Sequence, residues 1–165
     1  MHDVIVVGGG PAGLSAALFT AKNGLDTVVF DTDDTWMHKA HLFNYLGIGS
    51  VGGDAFLDAT GGGDHGASYL VLATGTDRGL AEDLGCAFTD QSVVDVDVTM
   101  ETSVEDAYAT GAMVRAEEWQ AIISAGDGAA AALNVLTKER GEHFHDFDTP
   151  GDADELFGDL AAGGE

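Results

Sequence analysis

Three glycines at positions 8, 10 and 13 and an acid at position 31 are the residues of this chain best placed to do chemistry together. They begin in the stretch Val4–Gly13, VIVVGGGPAG. The G-x-G-x-x-G spacing gives a tight turn at Gly8, lets a pyrophosphate approach the backbone at Gly10, and allows close helix–strand packing at Gly13. Pro11, followed by Ala12, suits the start of a helix, whose free N–H groups and dipole attract phosphate. Asp31 follows about 20 residues later, where a carboxylate accepts hydrogen bonds from an adenosine ribose and disfavours a 2′-phosphate. The chemistry is recognition of a dinucleotide. The competing reading is a glycine-rich turn that serves packing alone.

The elements needed to position these residues are legible around them. Val4–Val7 is an unbroken aliphatic run, which predicts a strand buried on both faces of a parallel sheet. Leu14, Ala17, Leu18 and Ala21 form the apolar stripe of a helix that stops at Asn23-Gly24. Thr27–Phe30 then predicts a second strand, which gives the glycines a strand-turn-helix-strand context. Ser68–Ala73 reads as a third buried strand ending in Thr74-Gly75-Thr76. Thr74 and Gly75 admit a cofactor closely, or form an ordinary strand-end turn.

Val93–Val98 alternates Val and Asp and predicts an edge or half-exposed strand, and Asp106–Thr110, before Gly111, a brief further one. Glu117–Arg140 is the longest helix candidate, with two glutamates in its first turn, Lys138 and Arg140 in its last, and Gly141 to cap it. Its expected core face is Ile122, Ala125, Ala129, Leu133 and Leu136. Gly126 and Gly128 each weaken helix propensity by about 1 kcal/mol relative to Ala, which points to a very close neighbour, either sheet or cofactor.

Between the second and third strands the chain is less regular. The polar stretch after Asp31 runs into His41–Gly49, HLFNYLGIG. A loop leaving the carboxyl end of a strand lies over the ligand crevice, so Lys39 and Asn44 are candidates to reach a cofactor. Equally, Trp36, Phe43 and Tyr45 serve to cover the sheet edge. Asp54 caps a short helical segment, and Gly61–Gly66 reads as a flexible connector.

Composition narrows the function classes. The 165 residues read as a single domain over 1–147, with an acidic tail over 148–165. Twenty-nine acids against six Lys and Arg give a net charge of −23, which repels nucleic acid and anionic membranes. Multimolar salt removes most of the resulting self-repulsion, so the composition suggests a halophilic cytoplasm; a very soluble acidic protein is the plainer alternative. Cys86 is the single cysteine, which excludes a CxxC pair and reads as a small core residue. His143, His145, Asp146 and Asp148 read as a solvated acidic stretch rather than a metal site, and no metal is expected. No signal peptide or membrane span is expected, and the cytoplasm follows.

Taken together, these motifs resemble the FAD domain of thioredoxin reductase and related pyridine-nucleotide disulfide oxidoreductases. VIVVGGGPAGLSAALFTAKNGLDTVVFD is similar to that family's opening βαβ unit, FNYLGIGSVGGDAFL to its Asn-Tyr-Pro-Gly segment with Leu46 for the proline, and SYLVLATGT to the strand closing beside FAD. The segment from Val93 to Leu136 is similar to the final one, where a Gly-Asp pair meets the ribityl chain and a Gln-Ala pair opens a helix aimed at the flavin. The resemblance implies an adenosine end at Gly8, Gly10, Pro11, Ala12, Gly13 and Asp31, and a flavin end at Asn44, Thr74, Gly75, Gly111, Gln120 and Ala121, with Lys39 a cofactor candidate from its loop alone.

The departures are informative. The family's nicotinamide domain and CxxC would fall between Thr76 and Val93, where only a short stretch stands, and Ala112 occupies the place of the ribityl-binding Asp. The expectation is an α/β, Rossmann-like FAD/NAD(P)-binding fold with a central parallel sheet, shortened so that the β-meander and second nucleotide domain are missing. The function expected is that of an FAD flavoprotein of oxidoreductase type, with an external protein or NAD(P)H as electron donor. A non-catalytic dinucleotide-binding module and a shortened remnant are the alternatives. Family members pair, so a homodimer is the candidate assembly.

Overall fold

The computed structural model describes residues 1–31 and 65–146. Lys39, Asn44, the aromatic anchors of the loop, the Asp54 helix, most of the Gly61–Gly66 connector and the tail lie outside the described residues. The described elements are β1 (His2–Val7), α1 (Pro11–Lys22), β2 (Thr27–Phe30), β3 (Ala67–Leu72), α2 (Gly79–Asp83), β4 (Ala107–Ala109), a 3-10 helix at Gly111–Val114 and α3 (Ala121–Arg140). The four strands form one parallel sheet in the order β2-β1-β3-β4. The register aligns Val7 with Phe30 and with Leu72, and Leu72 with Ala109, so the strands end level at one edge. The fold class is the α/β arrangement that the sequence predicts.

The sheet buries one face against the two long helices. Val4, Val6, Val29, Tyr69, Val71 and Tyr108 cluster there with Ala16, Ala131 and Val135. Fully burying a side chain of this kind contributes roughly 1.5–3 kcal/mol, so these residues are the main anchor of the sheet. Leu72, Ala81, Cys86, Val94, Ala109 and Met113 form the second cluster. Cys86 is thus a core residue, its thiol 3.6 Å from the Thr102 hydroxyl. In β1 only Val4 and Val6 are fully buried, while Ile5 and Val7 are half-buried, so its apolar run closes one face completely rather than two.

The face α1 buries is not the expected one. Leu14 and Leu18 are 50% and 62% exposed, and the buried residues are Ala12, Gly13, Ser15, Ala16 and Thr20. Close approach explains the inversion: a Cβ on Gly128 of α3 would overlap the Ala12 carbonyl oxygen. Only small residues permit that crossing, and the larger leucines are turned outward. The close neighbour demanded by Gly128 is therefore helix α1, neither sheet nor cofactor. Thr20 is accommodated because its hydroxyl donates to the Ala16 carbonyl at 3.0 Å and accepts from the Thr27 hydroxyl at 2.9 Å.

Helix α3 is shorter than predicted at its start. Glu117 and Glu118 precede it, Gln120 is the N-cap, and no acid stands in the first turn. Its C-terminus follows expectation, with Lys138 and Arg140 in the last turn and Gly141 in the left-handed region at φ 68°. Ile122 is 55% exposed, and the buried face is Ala125, Asp127, Gly128, Ala131, Ala132, Val135 and Leu136. The Val93–Val98 stretch forms no strand of the sheet. It makes isolated antiparallel bridges, Phe88 to Val94 and Val96 to Thr102, within the connection between β3 and β4. Among the described residues, no helix is long and apolar enough to cross a membrane.

Candidate functional site

A cavity of about 910 Å³ opens at the carboxyl edge of the sheet, where β1, β3 and β4 give way to turns. Small-molecule sites span roughly 300–1,000 Å³, and the carboxyl ends of parallel strands are where ligands bind in such sheets. Backbone bonds fix the rim: the Gly8 N–H donates to the Phe30 carbonyl at 2.7 Å, Ala73 to Val7 at 2.8 Å, and Thr110 to Leu72 at 2.9 Å. Each strand therefore delivers its following turn to the same place.

The three motif glycines have three different reasons to be glycine. Gly8 has φ +115°, and a Cβ there would overlap the Ala73 carbonyl oxygen, so β1 and β3 require it. A Cβ on Gly13 would overlap the Gly8 carbonyl oxygen, so the helix can start against the strand only with glycine at that position. Gly10 differs. It faces the cavity, its φ of −76° suits any residue, and a Cβ would find no atom of the described residues within 4 Å. Packing among the described residues does not require glycine at position 10, which instead faces the open volume of the cavity.

Helix α1 begins at this volume. Pro11 supplies no N–H, and the first-turn N–H groups of Ala12 and Gly13 have no acceptor within the helix, a positive end suited to an anion. Asp31 stands across the turn, its carboxylate so close to Gly9 that a Cβ on Gly9 would come within 2.5 Å of Oδ2. Gly9 thus has a reason to be glycine outside the motif's fixed spacing.

The opposite wall comes from the distant parts of the chain. Thr74 and Gly75 follow β3, with the Thr74 hydroxyl donating to the Asp77 carbonyl at 2.5 Å and Gly75 at φ +68°. Gly111, at φ +72°, ends β4; a Cβ there would lie 3.2 Å from the Ala12 Cβ and 3.4 Å from the Ser124 hydroxyl. Gln120 and Ala121 open α3 at the same cavity, and no acid in that first turn offsets the positive end of the helix. Ala112 lines the wall without any hydrogen-bonding side chain.

Of the sequence-predicted residues, Gly8, Gly10, Pro11, Ala12, Asp31, Thr74, Gly75, Gly111, Gln120 and Ala121 are brought together around this one cavity. Gly13 lies beneath it as a packing residue, not on its wall. Lys39 and Asn44 fall outside the described residues. Sequence reasoning missed Phe30, Arg78, Trp119 and Ser124, which also line the cavity. Trp119 had a signal, since it directly precedes Gln120; its indole N–H donates to the Arg115 carbonyl at 2.9 Å.

Behind this wall stands a further pair that the motifs do not reveal. Arg115 donates from Nε to Asp127 Oδ2 at 3.2 Å and from Nη2 to Oδ1 at 2.5 Å. Asp127 is buried in α3, and its hydrogen bond holds the Arg115 guanidinium above its ordinary pKa. The fork ties the segment leading into Gln120 to the body of the helix. Among the described residues no His, Cys, Asp and Glu cluster suits a metal; Asp146 instead lies 2.9 Å from Lys22 Nζ.

Comparison with known proteins agrees with this geometry. Residues 3–40 match the family model described as an FAD binding domain. The chain is 35% identical over 74 residues to thioredoxin reductase of Listeria monocytogenes, an overlap of 42% of this chain and 23% of that protein. It thus spans about a quarter of the length of the curated relatives it matches first. Among solved structures, a thioredoxin reductase from Gloeobacter violaceus superposes with a TM-score of 0.71 at 18% identity, covering 88% of this chain and 98% of that one. That from T. acidophilum superposes with a TM-score of 0.66 at 15% identity, covering 84% and 99%. At such identities the likeness is one of fold. The opening glycine turn, the parallel sheet and these matches show that the chain has the fold of thioredoxin reductases, with a segment at its start that matches an FAD binding domain.

Proposed function

We propose that the chain works as the flavin module of a thioredoxin reductase-like oxidoreductase, with the adenosine end of FAD at Asp31 and Gly8–Ala12 and the flavin end at Thr74, Gly75, Gly111, Gln120 and Ala121. The observation that carries this reading is the open space before Gly10, which no packing requirement among the described residues explains. When bound, FAD supplies hydride or electron transfer, and the protein supplies binding and orientation. The α1 N-terminus holds the diphosphate, Asp31 accepts from the ribose, and the α3 N-terminus favours negative charge on the reduced ring.

The electron donor in this reading is an external protein or NAD(P)H meeting the flavin directly. The short connection from β3 to β4 supports it, because no second nucleotide-binding turn stands between Thr76 and Val93. The single buried thiol, Cys86, supports a route without a dithiol within this chain. A cytoplasmic setting at high salt and pairing into a homodimer complete the proposal. A second reading, a non-catalytic FAD-binding module, draws support from Ala112, whose methyl offers no hydrogen bond where the resemblance places a ribityl-binding Asp.

Titration of the apoprotein with FAD in concentrated KCl tests the binding claim. Stoichiometric uptake with a perturbed flavin spectrum is expected, and no uptake overturns it. Anaerobic mixing of the yellow protein with a reduced electron-transfer protein or NAD(P)H separates the two readings: bleaching followed by reoxidation by an acceptor marks an oxidoreductase, and an inert flavin marks a module.

A further inference from the structure

Among the described residues, Arg78 is placed differently from the other cations. The chain carries six Lys and Arg against 29 acids. Lys22 lies 2.9 Å from Asp146, Arg115 forks onto Asp127, Lys138 holds Glu101 and Asp106, and Arg140 stacks on Phe144 at 4.2 Å. Arg78 donates only to backbone carbonyls among the described residues: Nε to Met113 at 3.2 Å, Nη2 to Ala112 at 3.4 Å and Nη1 to Thr76 at 3.5 Å. The neighbouring Asp77 carboxylate is turned away to the Gly79 N–H at 3.0 Å.

Two consequences follow from this geometry. A guanidinium has five N–H groups, and three are committed here, so two remain to donate elsewhere. The carbonyls hold the side chain in place without neutralising its charge. Arg78 is also the one cation lining the cavity among the described residues, where Asp31 and Asp77 are the other charged side chains. A net charge of −23 opposes the approach of an anion, so an anionic ligand here needs a local positive group. Charge-assisted hydrogen bonds from a fixed guanidinium supply one.

We propose that Arg78 is a cofactor-contacting residue, its two uncommitted N–H groups donating to an oxygen of the bound flavin dinucleotide. This rests on the FAD reading above. The acceptor chemistry is an electron-rich oxygen, which the diphosphate and the flavin ring both offer.

The test compares R78Q and R78K with the parent and with R140Q, which makes the same change in net charge at the far end of α3. FAD, ADP and riboflavin are titrated into each. Losing a charged hydrogen bond weakens binding by about tenfold to a hundredfold, so that drop is expected for FAD in R78Q, with partial recovery in R78K and none of it in R140Q. A parallel loss for ADP assigns the diphosphate as acceptor, and a parallel loss for riboflavin assigns the ring. Equal FAD affinity in R78Q and parent overturns the proposal while leaving the FAD reading intact; a parent that takes up no FAD overturns both. Should R78Q fail to fold, the parent itself answers. FAD is expected to protect Arg78, and not Arg140, from a dicarbonyl arginine reagent, with the sites mapped on peptides; unchanged labelling of Arg78 counts against the proposal.

Discussion

A Cβ on Gly128 would overlap the carbonyl oxygen of Ala12, so α3 crosses α1 backbone against backbone, at the residue that also walls the cavity. Gly126, two positions earlier, is exposed, and a methyl added there would meet nothing among the described residues within 4 Å. The two glycines should therefore respond oppositely to alanine. G128A is expected to destabilise the fold by about 2–3 kcal/mol through overpacking, and G126A to stabilise it by up to about 1 kcal/mol through helix propensity. Denaturant midpoints measure both.

The motif glycines separate in the same way. G10A is expected to retain the parent's melting temperature and lose FAD affinity, because its methyl projects into the cavity and touches no atom of the described residues. G13A should lose cooperative folding, because the Gly8 carbonyl oxygen occupies the space required. A thermal melt beside an FAD titration distinguishes them.

The Arg115 and Asp127 fork predicts a folding defect with a functional echo. R115M leaves the Asp127 carboxylate buried without its partner, which costs about 2–3 kcal/mol. Because the same fork steadies the approach to Gln120, flavin fluorescence anisotropy in the surviving holoprotein should also fall. R115M with an unchanged denaturant midpoint would refute this.

Alkaline pH should loosen the opposite end of the sheet. Burial works against the Lys138 ammonium, yet its hydrogen bonds to Asp106 and Glu101 outweigh that and raise its pKa. Burial likewise raises the Tyr108 phenol, whose hydroxyl donates to Asn134 Oδ1 at 2.6 Å. Both groups hold their proton more tightly when folded. Their stabilisation is complete below the unfolded values, near pH 10, and is lost as pH rises toward the folded ones. The melting temperature should fall above about pH 10, and less steeply in K138M and Y108F.

Salt should act in the opposite sense to its usual effect on ion pairs. With a net charge of −23, screening of self-repulsion outweighs the loss at the few bridges, so the melting temperature should rise between dilute buffer and molar KCl. A fall over that range would remove the halophilic reading.

Much of this architecture was legible because local rules and tertiary demands agreed. Thr27–Phe30 appears as the strand its residue types predict, and Asn23-Gly24 and Gly141 end their helices. The misreadings arise where the two conflict. Leu14 and Leu18 are among the largest apolar residues of α1, yet the crossing with α3 selects its smallest, and no periodicity conveys how near two backbones must come. The Val-Asp alternation of Val93–Val98 carries a strand's period, yet it meets Phe88 and Thr102 only at isolated antiparallel bridges and joins no sheet. Asp127 is buried because Arg115, twelve residues upstream, meets it, and Arg78 lines the cavity because carbonyls after β4 hold it. Such partnerships depend on the folded path and leave no mark in spacing.

Ala12 answers to two masters: its carbonyl is the floor on which Gly128 rests, and its methyl is the ceiling under which Gly111 turns. A bulkier side chain there would wedge the helices apart and crowd the nucleotide in a single step. That corner accordingly admits little drift, and a substitution on any one of three remote segments is tolerable only while the other two keep their shape.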